Sequence, residues 1–260
     1  MFIGEPPRTQ ADLHFRLFGF PIRVHPFFWV VTLLLGIQGD TVEPVSALMW
    51  VAVVLVSILI HELGHAFLQR RYGGRPWIVL HGFGGLAICN DCDRSPRRQI
   101  LISLAGPMAG FLFAAVLIVG VRLAGHSIRI VLFGNDFVLA VGGLRWALLD
   151  RFVLYHAQFT PFISPIINEA LYDLLYVNIM WGLVNLLPVY PLDGGRVARE
   201  LFTLGNPRSG IVQSLQLSIG TAILVAVYAL LQQSIYLCVM FGLLAYGSFQ
   251  ALQAYQNNWR

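Results

Sequence analysis

Apolar residues run along this chain in blocks close to the roughly 20 residues a helix needs to cross a bilayer. Short polar stretches separate them. The clear blocks are Val45–Leu68, Ile100–Leu123, Leu171–Leu187, Ile211–Leu231 and Ile235–Ala251. A shorter sixth, over 24–38, crosses if tilted or where the bilayer thins. The pattern predicts an all-α polytopic membrane protein with about six transmembrane helices. Three stretches depart from it. Phe15–Val24 alternates loosely around Gly19 and Pro21 and predicts a short strand. Trp77–Ala87 is strand-like, then bends through glycines, and is too short to cross; it predicts a re-entrant or interfacial hairpin whose backbone must pair with protein. From Ser127 to Pro165, alternation around Gly134-Asn135-Asp136 predicts an external hairpin. Within that segment, Leu144–His156 predicts a helix lying in the interface.

Composition agrees with the pattern. The 260 residues are 57% hydrophobic and only 12% charged, outside the usual soluble balance. No linker-like composition divides them, so one domain over 1–260 is expected. All 17 basic residues are arginine, and they flank apolar blocks, which argues against nucleic acid as a partner. Arg8, Asp12, Arg16 and Arg23 interrupt the first 25 residues, unlike a secretory signal. Cys89 and Cys92 form a lone Cys-x-x-Cys with no second pair, so ordinary thiols are expected.

Arginine placement orients the blocks. Arg8, Arg16 and Arg23 precede the first; Arg70, Arg71 and Arg75 follow the second; Arg94, Arg97 and Arg98 precede the third. Arg196, Arg199 and Arg208 lie between the fourth and fifth, and Arg260 ends the chain. Six spans with the N-terminus inside put all of these clusters in the cytoplasm of a multi-pass protein of the cell (inner or plasma) membrane.

The second block carries His61-Glu62-Leu63-Gly64-His65. On a helix, His-Glu-x-x-His sets two imidazoles one turn apart on one face with a carboxylate beside them, which suits zinc and a general base. Charged groups inside a span are costly and usually functional. His61 lies roughly 24 Å into its block from the outer side, towards the cytoplasm. A catalytic zinc needs a third protein ligand. Asn185-Leu-Leu-Pro-Val-Tyr-Pro-Leu-Asp193-Gly194-Gly195 ends the fourth block, and Pro188 and Pro191 stop a regular helix there. Asp193 is then on irregular backbone on the same side as His61 and His65. A second choice is Glu169, in Asn168-Glu169-x-x-x-Asp173, which resembles the glutamate-ligand segment of gluzincins. That reading gives a membrane-anchored protease with Glu169 as third ligand, but the topology puts Glu169 at the opposite end of the bilayer.

Together these motifs resemble the site-2 protease family of intramembrane zinc metalloproteases. The His61–His65 helix matches, and Asn-x-x-Pro-x-x-Pro-Leu-Asp-Gly-Gly is matched at every fixed position from Asn185 to Gly195. Pro21–His25, Phe83-Gly84-Gly85 and Ala105-Gly106-Pro107 are weaker echoes; Gly110 stands where members often carry Asn. The resemblance implies one Zn2+ held by His61, His65 and Asp193, with Glu62 as general base. It implies substrate or transition-state contacts from Asn185, Gly84 and Gly85, and a clamp for an extended substrate along Trp77–Gly85. It also implies substrates that are single-span or membrane-anchored proteins, cut within the lipid bilayer, as when an anti-sigma factor is trimmed. A scaffold or transporter on the same fold is the non-enzyme alternative, disfavoured by the intact Glu62 and by the lack of repeats. The glycines of the third block are expected to serve close helix packing rather than catalysis, and Asn178 an interhelix hydrogen bond.

Overall fold

The computed structural model describes residues 5–36, 43–132, 155–207 and 209–257. A four-stranded sheet comes first, from β1 (Leu13–Leu17), β2 (Phe20–Val24), β3 (Trp77–His81) and β4 (Gly84–Ile88), in that spatial order. β2 and β3 pair in parallel, the other neighbours antiparallel. Helices α1 (Pro26–Gly36) and α2 (Pro44–Arg71) connect β2 to β3, and α3 (Pro96–Leu123) follows β4. A second, two-stranded sheet of β5 (Ile128–Leu132) and β6 (Tyr155–Phe159) precedes α4 (Pro165–Asn185), α5 (Asp193–Gly205), α6 (Ser209–Leu231) and α7 (Ile235–Asn257).

The chain is therefore mostly helical but not all-α. The strand expected at Phe15–Val24 is a hairpin, because Phe18 and Gly19 adopt φ of 50° and 83° and reverse the chain between β1 and β2. The hairpin expected over 77–87 is present as β3 and β4, closed through Gly82 and Phe83. The turn expected at Gly134-Asn135-Asp136 and most of the helix expected over 144–156 lie outside the described residues. The end of that helix is corrected: Tyr155 and His156 belong to β6, drawn into strand by pairing with β5.

Among the described residues, four helices are long and apolar enough to cross a membrane: α2, α3, α6 and α7. These make the protein a multi-pass membrane protein. The other two expected spans differ in kind. The helix α1 has 11 residues, about 16 Å of rise. The helix α4 has the length, with 21 residues, but carries Asn168, Glu169, Asp173, Asn178 and Asn185. Its polar positions turn inward: Asp173, Asn178 and Asn185 are all buried. Outward positions such as Leu112, Val116, Leu224 and Leu243 are exposed apolar side chains, as lipid in place of water allows.

Prolines open α2, α3 and α4, where a missing N–H costs nothing. Helices α2, α3 and α4 pack on one another. Gly64 permits a close approach of α2 to α3. A Cβ there would fall on the Ala105 carbonyl and lie 2.8 Å from the Ala109 Cβ. Gly64→Val is expected to push α2 from α3 and cost about 1–3 kcal/mol, read as a lowered melting temperature in detergent; an unchanged melt would refute the close packing. Asn178 fulfils its expected role, its Nδ2 donating to Ser57 Oγ on α2 at 2.9 Å.

One arginine fastens the N-terminal segment to the sheet, and another fastens the sheet to α2. Arg23 on β2 is buried and pairs with Glu5 and Asp12, each at 2.9 Å. Arg70, at the end of α2, donates to the Phe18 carbonyl at 2.9 Å and stacks over the Phe20 ring. The sheet is thereby held alongside the segment of α2 that carries the histidines.

Candidate metal centre

His61 and His65 project from one face of α2, and both are about 95% buried. Asp193 meets them from a distant stretch of chain. Its Oδ2 lies 3.0 Å from His61 Nε2 and 3.3 Å from His65 Nε2, and the two Nε2 atoms are 3.2 Å apart. A tetrahedral ion bonded at about 2.0–2.1 Å spaces its ligand atoms about 3.3–3.4 Å apart. The triangle has that size, and its two imidazoles and one carboxylate are a zinc-type donor set.

Two further features fit an ion. The Ile102 carbonyl accepts from His65 Nδ1 at 2.7 Å, which fixes the proton there and leaves the Nε2 lone pair directed at Asp193. Gly106 on α3 leaves the space: a Cβ there would overlap His65 Nε2 and come within 2.7 Å of His61 Nε2. The expectation that the third-block glycines serve only helix packing is corrected here. A helix one residue bulkier at this point would fill the cradle.

The sequence predicted irregular backbone at Asp193. The structure instead makes Asp193 the first residue of α5. The chain leaves α4 after Asn185, turns through bonds from Val189 N–H to the Leu187 carbonyl and from Leu192 N–H to the Val189 carbonyl, and restarts as helix. Gly194 and Gly195 are steric requirements of this turn, since side chains there would strike the Leu187 carbonyl and the Tyr190 nitrogen, each at 2.5 Å. Two serines missed by the sequence reading hold the turn from outside. Ser218 Oγ on α6 accepts from Tyr190 N–H at 2.7 Å, and Ser248 Oγ on α7 donates to the Tyr190 carbonyl at 3.1 Å. Lone serines in apolar helices were the only sequence signal for them.

Glu62 is buried beside the histidines on α2, and β4 lies against it: a Cβ on Gly85 would sit 2.6 Å from Glu62 Oε1. Gly84, with φ of 124°, lies under the Trp181 ring. Of the Trp77–Gly85 segment expected to clamp a substrate, only the part in β4 has an open strand edge. Strand β3 is paired on both sides, whereas β4 is the edge of the sheet. Asn185 is buried at the end of α4, where its Nδ2 donates to the Trp181 carbonyl at 2.9 Å.

Other expectations resolve away from this site. Glu169 Oε2 accepts from Ser46 Oγ at 3.0 Å, in the first turn of α2. That places it about four turns, roughly 22 Å, from His61, so Glu169 is not the third ligand. His81 on β3 also lies outside the metal-ligand group of the described residues. Its Nδ1 accepts from Phe83 N–H at 3.3 Å, and burial, with His25 and Arg23 nearby, lowers its pKa to about 4. Cys89 and Cys92, expected as free thiols, form a disulfide. The turn after β4 brings their Cα atoms to 5.7 Å, within bridging range, and Gly74 leaves room for both sulfurs.

Comparison with known proteins places this geometry. A zinc metalloprotease of Methanocaldococcus jannaschii is 26% identical over 245 residues, covering 91% of this chain and 59% of that protein. The stage IV sporulation protein FB of Bacillus subtilis is 27% identical over 190 residues, covering 72% of this chain and 49% of that protein. The chain thus spans about half of each relative's length. Among solved structures, the site-2 protease from M. jannaschii superposes with a TM-score of 0.57 at 22% identity, covering 93% of this chain and 95% of the other, so the two share a fold. The sequence model of peptidase family M50 matches residues 49–227, a stretch that contains both histidines, Glu62 and Asp193. With more than half of the chain inside that match, the protein belongs to peptidase family M50, the site-2 protease family its two motifs resemble.

Proposed function

We propose that this protein is an intramembrane zinc metalloprotease that hydrolyses peptide bonds in or next to transmembrane segments of membrane-anchored proteins. The observation that carries the reading is the convergence of Asp193, at the start of α5, on His61 and His65, which stand beside Glu62 in the 28-residue apolar helix α2. The relatives named as zinc metalloproteases support it. The whole of 1–260 acts as one domain. The six-span topology, with α1 and α4 completing the four long apolar helices, puts the N-terminus and the metal centre on the cytoplasmic side, as the arginine clusters require.

His61, His65 and Asp193 would hold the zinc, which when bound would supply Lewis acidity towards water and the scissile carbonyl. Glu62 takes the proton from the attacking water on its carboxylate and returns it to the leaving amine. Asn185 steadies the substrate carbonyl through its free N–H. An extended substrate pairs with β4 at Gly85, and Gly84 and Gly85 let its backbone come close to Glu62. Pairing matters because a substrate helix must unwind before cleavage, and unpaired backbone in lipid costs several kcal/mol per group.

Asp193→Asn is expected to lose zinc and cleavage of a model single-span substrate together, while Glu169→Gln keeps both. Metal content and product formation measured on the same preparations check this. Zinc retained in Asp193→Asn but lost in Glu169→Gln would return the third-ligand role to Glu169.

A further inference from the structure

The direction of each main-chain group on β4 follows from one hydrogen bond. His25 N–H donates to the Leu80 carbonyl at 2.9 Å, so Leu80 points its main-chain groups at β2. Leu80 faces Gly85 across the antiparallel ladder. Gly85 must then point its own N–H and C=O away from β3, and so must Ala87 two residues on. These are the outward groups of the edge strand. At Gly85 the Cα of the strand packs against the Glu62 side chain. At Ala87 the carbonyl is already taken, by Gln69 Nε2 at 3.2 Å.

Gln69 stands on α2 two turns beyond Glu62 and on the same face, about 10 Å further along the helix. It is 8% exposed, and its buried Oε1 has no hydrogen-bond partner among the described residues. Native structures seldom leave a buried amide oxygen unmatched, so such an atom asks for a donor.

We propose that Gln69 is a positioning residue that closes the substrate-pairing edge at Ala87 and fixes the frame in which an extended peptide meets Glu62. The inference rests on the metalloprotease reading above. A peptide added to β4 makes its two-bond rung at Gly85. The next rung would need the Ala87 carbonyl, which Gln69 occupies. Its Oε1 accepts the peptide N–H that would have gone there, and its Nε2 passes the bond on to the strand. One side-chain amide is thus interposed between substrate and β4, and the substrate is turned off the strand beyond Gly85. Strand pairing can slip only in steps of two residues if the same side chains are to keep their faces. Gln69 blocks the position into which such a slip would move the chain.

The test maps cleavage products of a single-span substrate by mass spectrometry, using the purified full chain as wild type, Gln69→Leu and Gln69→Glu, with zinc measured in each. Gln69→Met, close in shape and without an amide, replaces Gln69→Leu if that variant does not fold. The expected result is retained zinc and a roughly fivefold rise, the worth of one net hydrogen bond, in products cut two residues from the main site. Gln69→Glu behaves likewise, because it has no donor for the Ala87 carbonyl. Variants that cut only the wild-type bond at the wild-type rate overturn the proposal. So does loss of zinc from every variant, which makes Gln69 a support of the metal centre. Wild type that holds zinc and cuts no membrane substrate defeats the protease reading itself, and with it this one. That failure shows in the wild type, whereas failure of the Gln69 role alone shows only in the variants.

Discussion

Glu62→Gln is expected to keep its zinc and to lose roughly 10²–10⁴-fold in cleavage rate, the span that a positioned general base contributes. The substitution preserves shape, so the contact with Gly85 survives. It leaves His61, His65 and Asp193 in place, whose atoms lie within 3.3 Å of one another. What it removes is the carboxylate that accepts a proton. Metal content, melting temperature and product formation on one preparation separate these effects. Cleavage near the wild-type rate would sink the role of Glu62, because Asp193, the one carboxylate in that metal-ligand group, is committed as a ligand. Loss of zinc would instead mean that Glu62 supports the metal, and the assignment would have to be redrawn.

The second large effect is expected from Gly106→Ala. A methyl group there has nowhere to go, since it would overlap His65 Nε2 and crowd His61 Nε2. The helix α3 cannot easily retreat, because Ala105 and Ala109 are held against α2 at Gly64. The His65 ring cannot easily swing away either, as its Nδ1 is tied to the Ile102 carbonyl on α3. Metal affinity should fall by about 10–100-fold, the range seen when the groups around metal ligands are disturbed. Gly120→Ala on the same helix is the control, because a Cβ there meets nothing within 4 Å. Equal zinc in Gly106→Ala and Gly120→Ala would show that the cradle can yield, and would return Gly106 to a packing role alone.

Much of this protein was legible in one dimension because its strongest signals are local. A run of apolar residues from Val45 to Leu68 becomes helix and enters lipid through its own composition. Two histidines four residues apart share a face on any helix. Pro188 and Pro191 must end α4 wherever the rest of the chain goes. The pairing of Asp193 with His61 and His65 across 132 and 128 positions was reachable because topology put all three on one side and the motifs resemble a known family.

What escaped the sequence depends on contacts between elements. Gly106 looks like any small residue in a membrane helix until α3 is laid against α2; only then does its missing side chain become the space for a metal. Ser218 and Ser248 acquire a purpose when α6 and α7 close on Tyr190. Cys89 and Cys92 become a disulfide through a turn whose shape no spacing rule fixes. The resemblance implied a clamp along Trp77–Gly85, but only the pairing of β3 on both sides shows that the open edge of that hairpin is β4. The sequence by itself determined the apolar helices, the ligand types and the breaks between elements, because periodicity, proline sterics and hydropathy act over a few residues. Only the tertiary structure decided which glycine leaves room, which strand edge stays open and where Gln69 stands, because those follow from distances between segments far apart in the chain.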